Sequence, residues 1–169
     1  IRYINDAAAF LQGEIFASKL DNEEKILGIT LGTGLGSAVW SKGNKAFDAD
    51  LWNTAYRDSI FEEYLVTRWF TRRFEELTGN KAEGLKEILE QHQDEAEFAT
   101  LIQEYSAQLL DFLKFFSEKY NCTHYIIGGN IAKALDIITS YRTEEFSAYT
   151  IGRSNLDEKA AIIGAASIF

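Results

Sequence analysis

The chain has 169 residues, 46% of them hydrophobic and 14% aromatic, which suffices for one globular domain with a substantial core. A formal net charge of -9 opposes a nucleic-acid partner, which needs clustered Lys and Arg, but leaves room for a small anion held by backbone N–H groups and a metal ion. No apolar run approaches the roughly 20 residues of a membrane span and no charged-then-apolar leader is visible, so a cytoplasmic protein without a membrane partner is expected.

The single cysteine, Cys122, excludes an internal disulfide and a thiolate zinc cluster, and reads as a small buried residue. His92 and His124 stand in unrelated contexts and make a poor metal site. Proline and methionine are both absent, which nothing in the chain explains.

In chain order, Ile1-Arg2-Tyr3-Ile4 reads as the tail of a strand, and Asn5-Asp6 stand where a helix N-cap belongs, ahead of the helical stretch 7–14. Residues 26–31 are apolar and rich in β-branched side chains, as in a strand covered on both faces. Directly behind them comes Gly32-Thr33-Gly34-Leu35-Gly36. Two readings fit this stretch: a tight hairpin turn into a strand at 37–40, or a turn whose glycines take positive φ and aim N–H groups at a phosphate. A polar corner follows at 41–44, and 45–58 lacks periodicity and reads as a structured loop.

Helical spacing predicts a helix over 59–78 stopped by Gly79-Asn80, a shorter one over 82–91, and the strongest over 95–120. In the last, Phe98, Leu101, Ile102, Tyr105, Leu109, Phe112, Leu113 and Phe116 form one apolar stripe, which is core. Arg68-Trp69-Phe70-Thr71-Arg72-Arg73 mixes basic and aromatic residues, but inside a periodic helix Trp69 joins the apolar face and the arginines stay solvated or pair with Glu75 and Glu76. A strand at 124–127, the turn Gly128-Gly129-Asn130 and a helix at 131–138 make a strand-glycine-helix unit of the kind nucleotides favour. A last strand at 148–151 and a helix at 157–169 complete a single α/β lobe.

Four stretches together carry a family resemblance: Asn5-Asp6 through Glu14, Leu31 through Gly36, Ile126 through Asn130, and Ala161-Ile162-Ile163-Gly164-Ala165-Ala166. The combination resembles the ROK family of sugar kinases, of the actin-like, ribonuclease H-like ATPase fold, an α/β lobe with a mixed sheet flanked by helices. The resemblance implies ATP-dependent phosphorylation of a sugar hydroxyl with Mg²⁺. It puts Asp6 in the catalytic-base position and Asn5 in a sugar-contacting one. Gly32, Thr33, Gly34 and Gly36 match the second phosphate motif, and Gly128 with Gly129 match the adenosine motif. Plain structural roles stand beside these: a helix cap for Asp6 and a helix-entry turn for Gly128 and Gly129.

Two departures from the family pattern matter. Typical members carry a Glu-x-x-His pair and a cysteine-rich zinc knot; here Asp50-Leu51-Trp52-Asn53 takes that place without the knot, so no structural zinc is expected. Asp50 and Asn53 then stand in for the sugar-contacting pair, or belong to an ordinary polar loop. Glu62-Glu63-Tyr64 resembles the later Glu-x-Tyr motif, making Glu62 a sugar-contacting carboxylate or a helix-start acid favoured by the dipole. The family's N-terminal lobe, with its own Asp-x-Gly-Gly-Thr phosphate turn, would precede Ile1, and 1–169 corresponds to the C-terminal lobe. The isolated chain is therefore expected to be inactive and the parent protein to phosphorylate a sugar. A non-catalytic sugar-sensing transcriptional regulator is the alternative within the same family, and a homodimer fits either.

Overall fold

The computed structural model describes residues 5–156 and 159–167. The expected strand tail at Ile1-Arg2-Tyr3-Ile4 and the ends of the expected last helix, at 157–158 and 168–169, lie outside the described residues.

Helix α1 (Asp6–Ser18) is followed by β1 (Lys25–Leu31) and β2 (Leu35–Ser41), antiparallel neighbours joined by the glycine turn. A two-residue strand β3 (Phe47–Asp48) pairs with β2. Strands β6 (His124–Gly128) and β7 (Thr150–Arg153) extend the sheet on the other side of β1, parallel to it and to each other, giving the order β3-β2-β1-β6-β7. The layers are as the sequence suggested, α/β with a mixed sheet flanked by helices.

Alternation along the central strands divides the core between the two faces of the sheet. Leu27, Ile29 and Leu31 of β1 and Tyr125 and Ile127 of β6 pack with the stripe of α5 (Ala96–Tyr120), every residue of which is buried. On the other face, Ile26 and Ile126 pack with α1 and with Ala160 of α8 (Lys159–Ser167). Gly28 serves this second layer: a Cβ there would lie 3.0 Å from Leu11 Cβ. At Gly13 and Gly164 the backbones of α1 and α8 touch, since a Cβ on Gly13 would fall 1.9 Å from Ala160 O and one on Gly164 would fall 1.7 Å from Ala9 O.

Several elements differ from the sequence expectation. Residues 45–58 hold β3 and most of a separate hairpin, β4 (Ala55–Tyr56) and β5 (Ser59–Ile60), whose tip residue Arg57 sits at φ 51°. Tyr56 closes this hairpin by stacking on Phe61 at 4.3 Å and donating its hydroxyl hydrogen bond to Asp111. The helix expected over 59–78 begins later and is broken into α2 (Phe61–Leu65) and α3 (Thr67–Thr78) by extended backbone at Val66, before Gly79 stops it at φ 74°. A short α4 (Leu85–Gln91) precedes α5. After β6 the chain enters a 3₁₀ turn, Asn130–Ala134, before α6 (Leu135–Ser140), and β7 starts two residues later than expected, after a short α7 (Thr143–Phe146). Among the described residues no helix is long and apolar enough to cross a membrane.

The break at Val66 is held from α5. Tyr105, fully buried, donates a 2.9 Å hydrogen bond to Leu65 O, and its burial raises the pKa of its phenol. Tyr105→Phe is expected to cost about 1–2 kcal/mol of unfolding free energy by leaving that carbonyl unpaired, with the urea m-value unchanged. Chemical denaturation of the two proteins checks this.

The arginines of α3 do pair with acids, with Glu76 as spacing suggested and otherwise with acids beyond the expected pair. Arg68 engages Glu62 and Glu63, Arg72 lies near Glu63, and Arg73 spans Glu76 and Glu104. Glu75 takes no ion pair among the described residues. Cys122 is half-buried, its thiol directed at Lys25 O.

Candidate functional site

Parallel strands leave their helices from one edge, and ligands of open α/β sheets bind outside the carboxyl ends of those strands. Here the ends of β1, β6 and β7 and the start of α1 surround an open cleft of about 1080 Å³. Asp6 and Phe10 of α1, Thr33 of the glycine turn, Gly129 just ahead of the 3₁₀ turn, Lys133 within it and Lys159 of α8 line it. The structure thus brings Asp6, Thr33 and Gly129, far apart in sequence, to one place.

Asp6 is free for chemistry because its neighbour does the capping. Asn5 Oδ1 accepts the Ala7 N–H at 2.8 Å with Asn5 in extended backbone, as an N-cap requires. The Asp6 carboxylate is exposed on the cleft wall and has no hydrogen bond or ion pair among the described residues.

The glycine turn corrects one expectation. Neither Gly32, Gly34 nor Gly36 takes a positive φ; Gly43, Gly79 and Gly129 are the glycines that do among the described residues. The stretch is the loop of the β1–β2 hairpin, with Leu31 opposite Leu35. Its geometry is set from α2 and α3. Gly32 O accepts from Thr67 N at 2.9 Å and from Thr67 Oγ1 at 3.1 Å, Thr33 O accepts from Arg68 at 3.2 Å, and Leu35 N donates to Glu62 Oε2 at 3.0 Å. With its carbonyls tied back, the turn leaves the N–H groups of Thr33 and Gly34 without a partner among the described residues. Gly36 instead serves packing: a Cβ there would sit 2.2 Å from Thr30 Oγ1 and 3.0 Å from Ala7 Cβ.

The second glycine pair divides its work. Gly129, at φ 91°, lies against β1, where a Cβ would fall 2.3 Å from Leu31 O, and it faces the cleft. Gly128 is buried beneath Phe10, 2.5 Å from where its Cβ would be, and does not line the cleft.

Glu62 is placed at the turn. Oε2 holds Leu35 N and Oε1 pairs with Arg68 at 3.1 Å, while Arg68 through its hydrogen bonds also keeps the Glu63 carboxyl below the ordinary carboxylate range. Glu62→Ala is expected to raise the exchange rate of the Leu35 amide about tenfold, leaving amides at the centre of α5 unchanged. Amide hydrogen exchange followed by NMR measures this.

Asp50 and Asn53 do not line the cleft. Asp50, at φ 52°, receives the Trp52 indole N–H on Oδ1 at 2.9 Å. Their loop is stitched to the start of α2 by Phe61 N to Thr54 O at 3.0 Å and Glu62 N to Trp52 O at 3.1 Å.

Sequence reasoning did not single out Lys133 and Lys159, which add two cations to the cleft wall, nor Phe10, Thr30 and Asn155. A signal for Lys133 existed: it lies one 3₁₀ turn beyond Asn130, so it returns to the same side as the glycine turn. A buried carboxylate, Glu14 of α1 at 1% exposure, fixes the far wall by accepting from Ser154 Oγ, from Asn155 N at 3.4 Å and from Leu156 N at 3.1 Å.

Comparison with solved structures places this architecture. The hexokinase of the ROK family from Thermus thermophilus matches at a TM-score of 0.79 and 16% identity over 96% of this chain and 64% of its own. A ROK family glucokinase from Streptomyces griseus, in complex with glucose and AMPPNP, matches at 0.73 and 19% over 98% of this chain and 66% of its own. The chain has the ROK fold. A ROK family transcriptional regulator, a homologue of the E. coli MLC protein, shares it at a TM-score of 0.75 and 16% identity, over 98% of this chain and 50% of its own. The chain therefore spans between half and two thirds of the length of these ROK proteins. No protein-family model matches the sequence, and no curated protein matches it by sequence.

Proposed function

We propose that the chain is the C-terminal lobe of a ROK sugar kinase that transfers the γ-phosphoryl group of ATP to a sugar hydroxyl. The observation that supports this is the meeting of an uncommitted carboxylate, Asp6, with the Thr33 turn and Gly129 in one cleft. In this reading the Asp6 carboxylate orients the sugar hydroxyl and takes its proton as the oxygen attacks the γ-phosphorus and ADP leaves. Asn5 lies beside it on the sugar side. The residues present fit a nucleotide: the unpartnered N–H groups of Thr33 and Gly34 and the ammonium groups of Lys133 and Lys159 meet phosphate charge, and Gly129 lets the nucleotide approach the backbone. Mg²⁺, when bound, would neutralise charge between the phosphates. It draws most of its ligands from phosphate and water, so the cleft suits it without the clustered acids and histidines that are absent among the described residues, and Asp6 stays free to take the hydroxyl proton.

The same reading assigns Glu62, Asp50 and Asn53 to the sugar side. Glu62 keeps lone pairs beyond those that hold Leu35 and Arg68. It also carries a cytoplasmic setting, where ATP is available, and self-association of two copies. A second lobe must close over the cleft to complete the site. Coupled-enzyme detection of ADP release tests both parts. Turnover is expected from the parent protein with a hexose or amino sugar and none from the 169-residue chain; a parent inactive across those sugars overturns the kinase reading, and turnover by the chain alone overturns the two-lobe requirement.

One observation favours a non-catalytic sugar-sensing regulator instead. The Asp50 carboxylate in the altered sugar loop is already engaged by Trp52. Sugar binding by the parent without ADP release would select this reading.

A further inference from the structure

Away from the cleft, the tip of the β4–β5 hairpin, α3 and α5 enclose a second cavity of about 610 Å³, within the range of small-molecule pockets. Most of the charge on its walls is already matched. Arg73 is held by both oxygens of Glu104, at 2.7 and 2.8 Å, and by Glu76 at 3.0 Å; Arg72 leans on Glu63 at 3.9 Å; and Asp58 accepts the Tyr64 hydroxyl. Two groups keep capacity for a ligand. Gln108, which lines the cavity from α5, is only 2% exposed, yet its Oε1 is buried with no hydrogen-bond partner among the described residues. Folded proteins seldom leave such an acceptor unmet. Arg57, exposed at the hairpin tip, has no carboxylate within ion-pair distance among the described residues; its guanidinium hydrogen-bonds Tyr56, feels the nearby Asp58 charge and lies 5.1 Å from the Tyr56 ring centre and 5.4 Å from that of Tyr64.

An unmet acceptor suits a hydroxyl donor, and a guanidinium that keeps several of its five N–H donors and has no carboxylate in ion-pair contact suits a planar anion of one negative charge. With four carboxylates, those of Asp58, Glu63, Glu76 and Glu104, against the three guanidiniums of Arg57, Arg72 and Arg73, the walls disfavour a dianionic phosphate more than a monoanion. We propose that this cavity binds a polyhydroxylated monocarboxylate, a sugar acid, with its carboxylate on Arg57 and a hydroxyl donating to Gln108 Oε1. The site is separate from the cleft and does not depend on the kinase reading.

Isothermal titration calorimetry of the 169-residue chain tests it with gluconate as the probe and glucose and glucose 6-phosphate as comparators. Gluconate is expected to bind at one site and more tightly than either comparator. Arg57→Gly and Gln108→Leu are each expected to weaken it at least about tenfold. Because Arg57 sits at φ 51°, glycine suits the backbone there, and lost binding in Arg57→Gly reports the guanidinium and not unfolding. Should Gln108→Leu fail to fold, Arg57→Gly decides alone. No heat from gluconate, equal or tighter binding of glucose or glucose 6-phosphate, or gluconate affinity that survives Arg57→Gly each overturns the proposal; a Gln108 acceptor met only by water would appear as the first of these.

Discussion

Asp6→Asn is expected to lower the rate of sugar phosphorylation by the parent protein about 10³-fold, while the dissociation constants for sugar and nucleotide stay within about threefold. The asparagine keeps the shape of the side chain and removes its basicity. A capping role predicts the rate kept and little stability lost, because asparagine caps a helix as well as aspartate. The structure separates the two roles by residue, because the Ala7 N–H is taken by Asn5 Oδ1 and not by Asp6. Asn5→Ala therefore supplies the complementary arm, costing about 1 kcal/mol of stability through the lost cap. Steady-state kinetics with equilibrium binding, run beside thermal melts of both variants, make the comparison. An Asp6→Asn enzyme that keeps more than about a tenth of the wild-type rate would remove Asp6 from the chemistry.

The largest expected effect on stability is at the α1–α8 crossing. Gly164→Ala puts a Cβ 1.7 Å from Ala9 O and 2.8 Å from Gly13 N, both main-chain atoms that cannot swing aside as a side chain can. The two helices must part, opening the packing of Ala7, Leu11 and Ala160 between them. A loss of about 3 kcal/mol or more is expected, read as a fall of roughly 10 °C in the melting temperature. Gly13→Ala should cost a similar amount, and the double variant less than the sum, since both relieve one and the same contact. Gly32→Ala is the control: a Cβ there meets nothing within 4 Å and its φ is not positive, so stability should change by less than about 0.5 kcal/mol. A Gly164→Ala melt within a degree or two of wild type would rule out the close helix crossing.

Features that short-range chemistry fixes were legible in the sequence. The α5 stripe could be read because one face of a 25-residue helix is buried along its length, and the α1 start because a polar residue in extended backbone must cap it. The hairpin at 55–60 and the break at Val66 were not legible, because tertiary contacts impose both. Tyr56 gains a stacked Phe61 and an Asp111 partner, and Thr67 reaches the carbonyl of Gly32 only if the helix stops before it. The glycine turn shows the same limit in finer detail. Its glycines suggested positive φ, whereas the hairpin needs none, and what exposes its N–H groups is the clamping of its carbonyls by Thr67 and Arg68 from 35 residues away. Of the candidate residues, Asp6, Thr33 and Gly129 come together in the cleft because they sit at the ends of adjacent elements. Lys133 and Lys159 join them through chain geometry that composition does not reveal.

Glu14 gives the cleft a mechanical character. One carboxylate, shut away from solvent, ties the helix that carries Asp6 to the segment 154–156 on the opposite wall. Spreading those two walls would strip three donors from a charge with no water at hand to replace them, a penalty of several kcal/mol. This side of the cleft therefore behaves as a fixed jaw. Adjustment to a ligand falls to the Thr33 turn, which is fastened by part-buried contacts to Thr67 and Glu62 and an exposed one to Arg68, nearer to water than the Glu14 carboxylate, so affinity for differently sized ligands should be tuned there and not at the helix crossing.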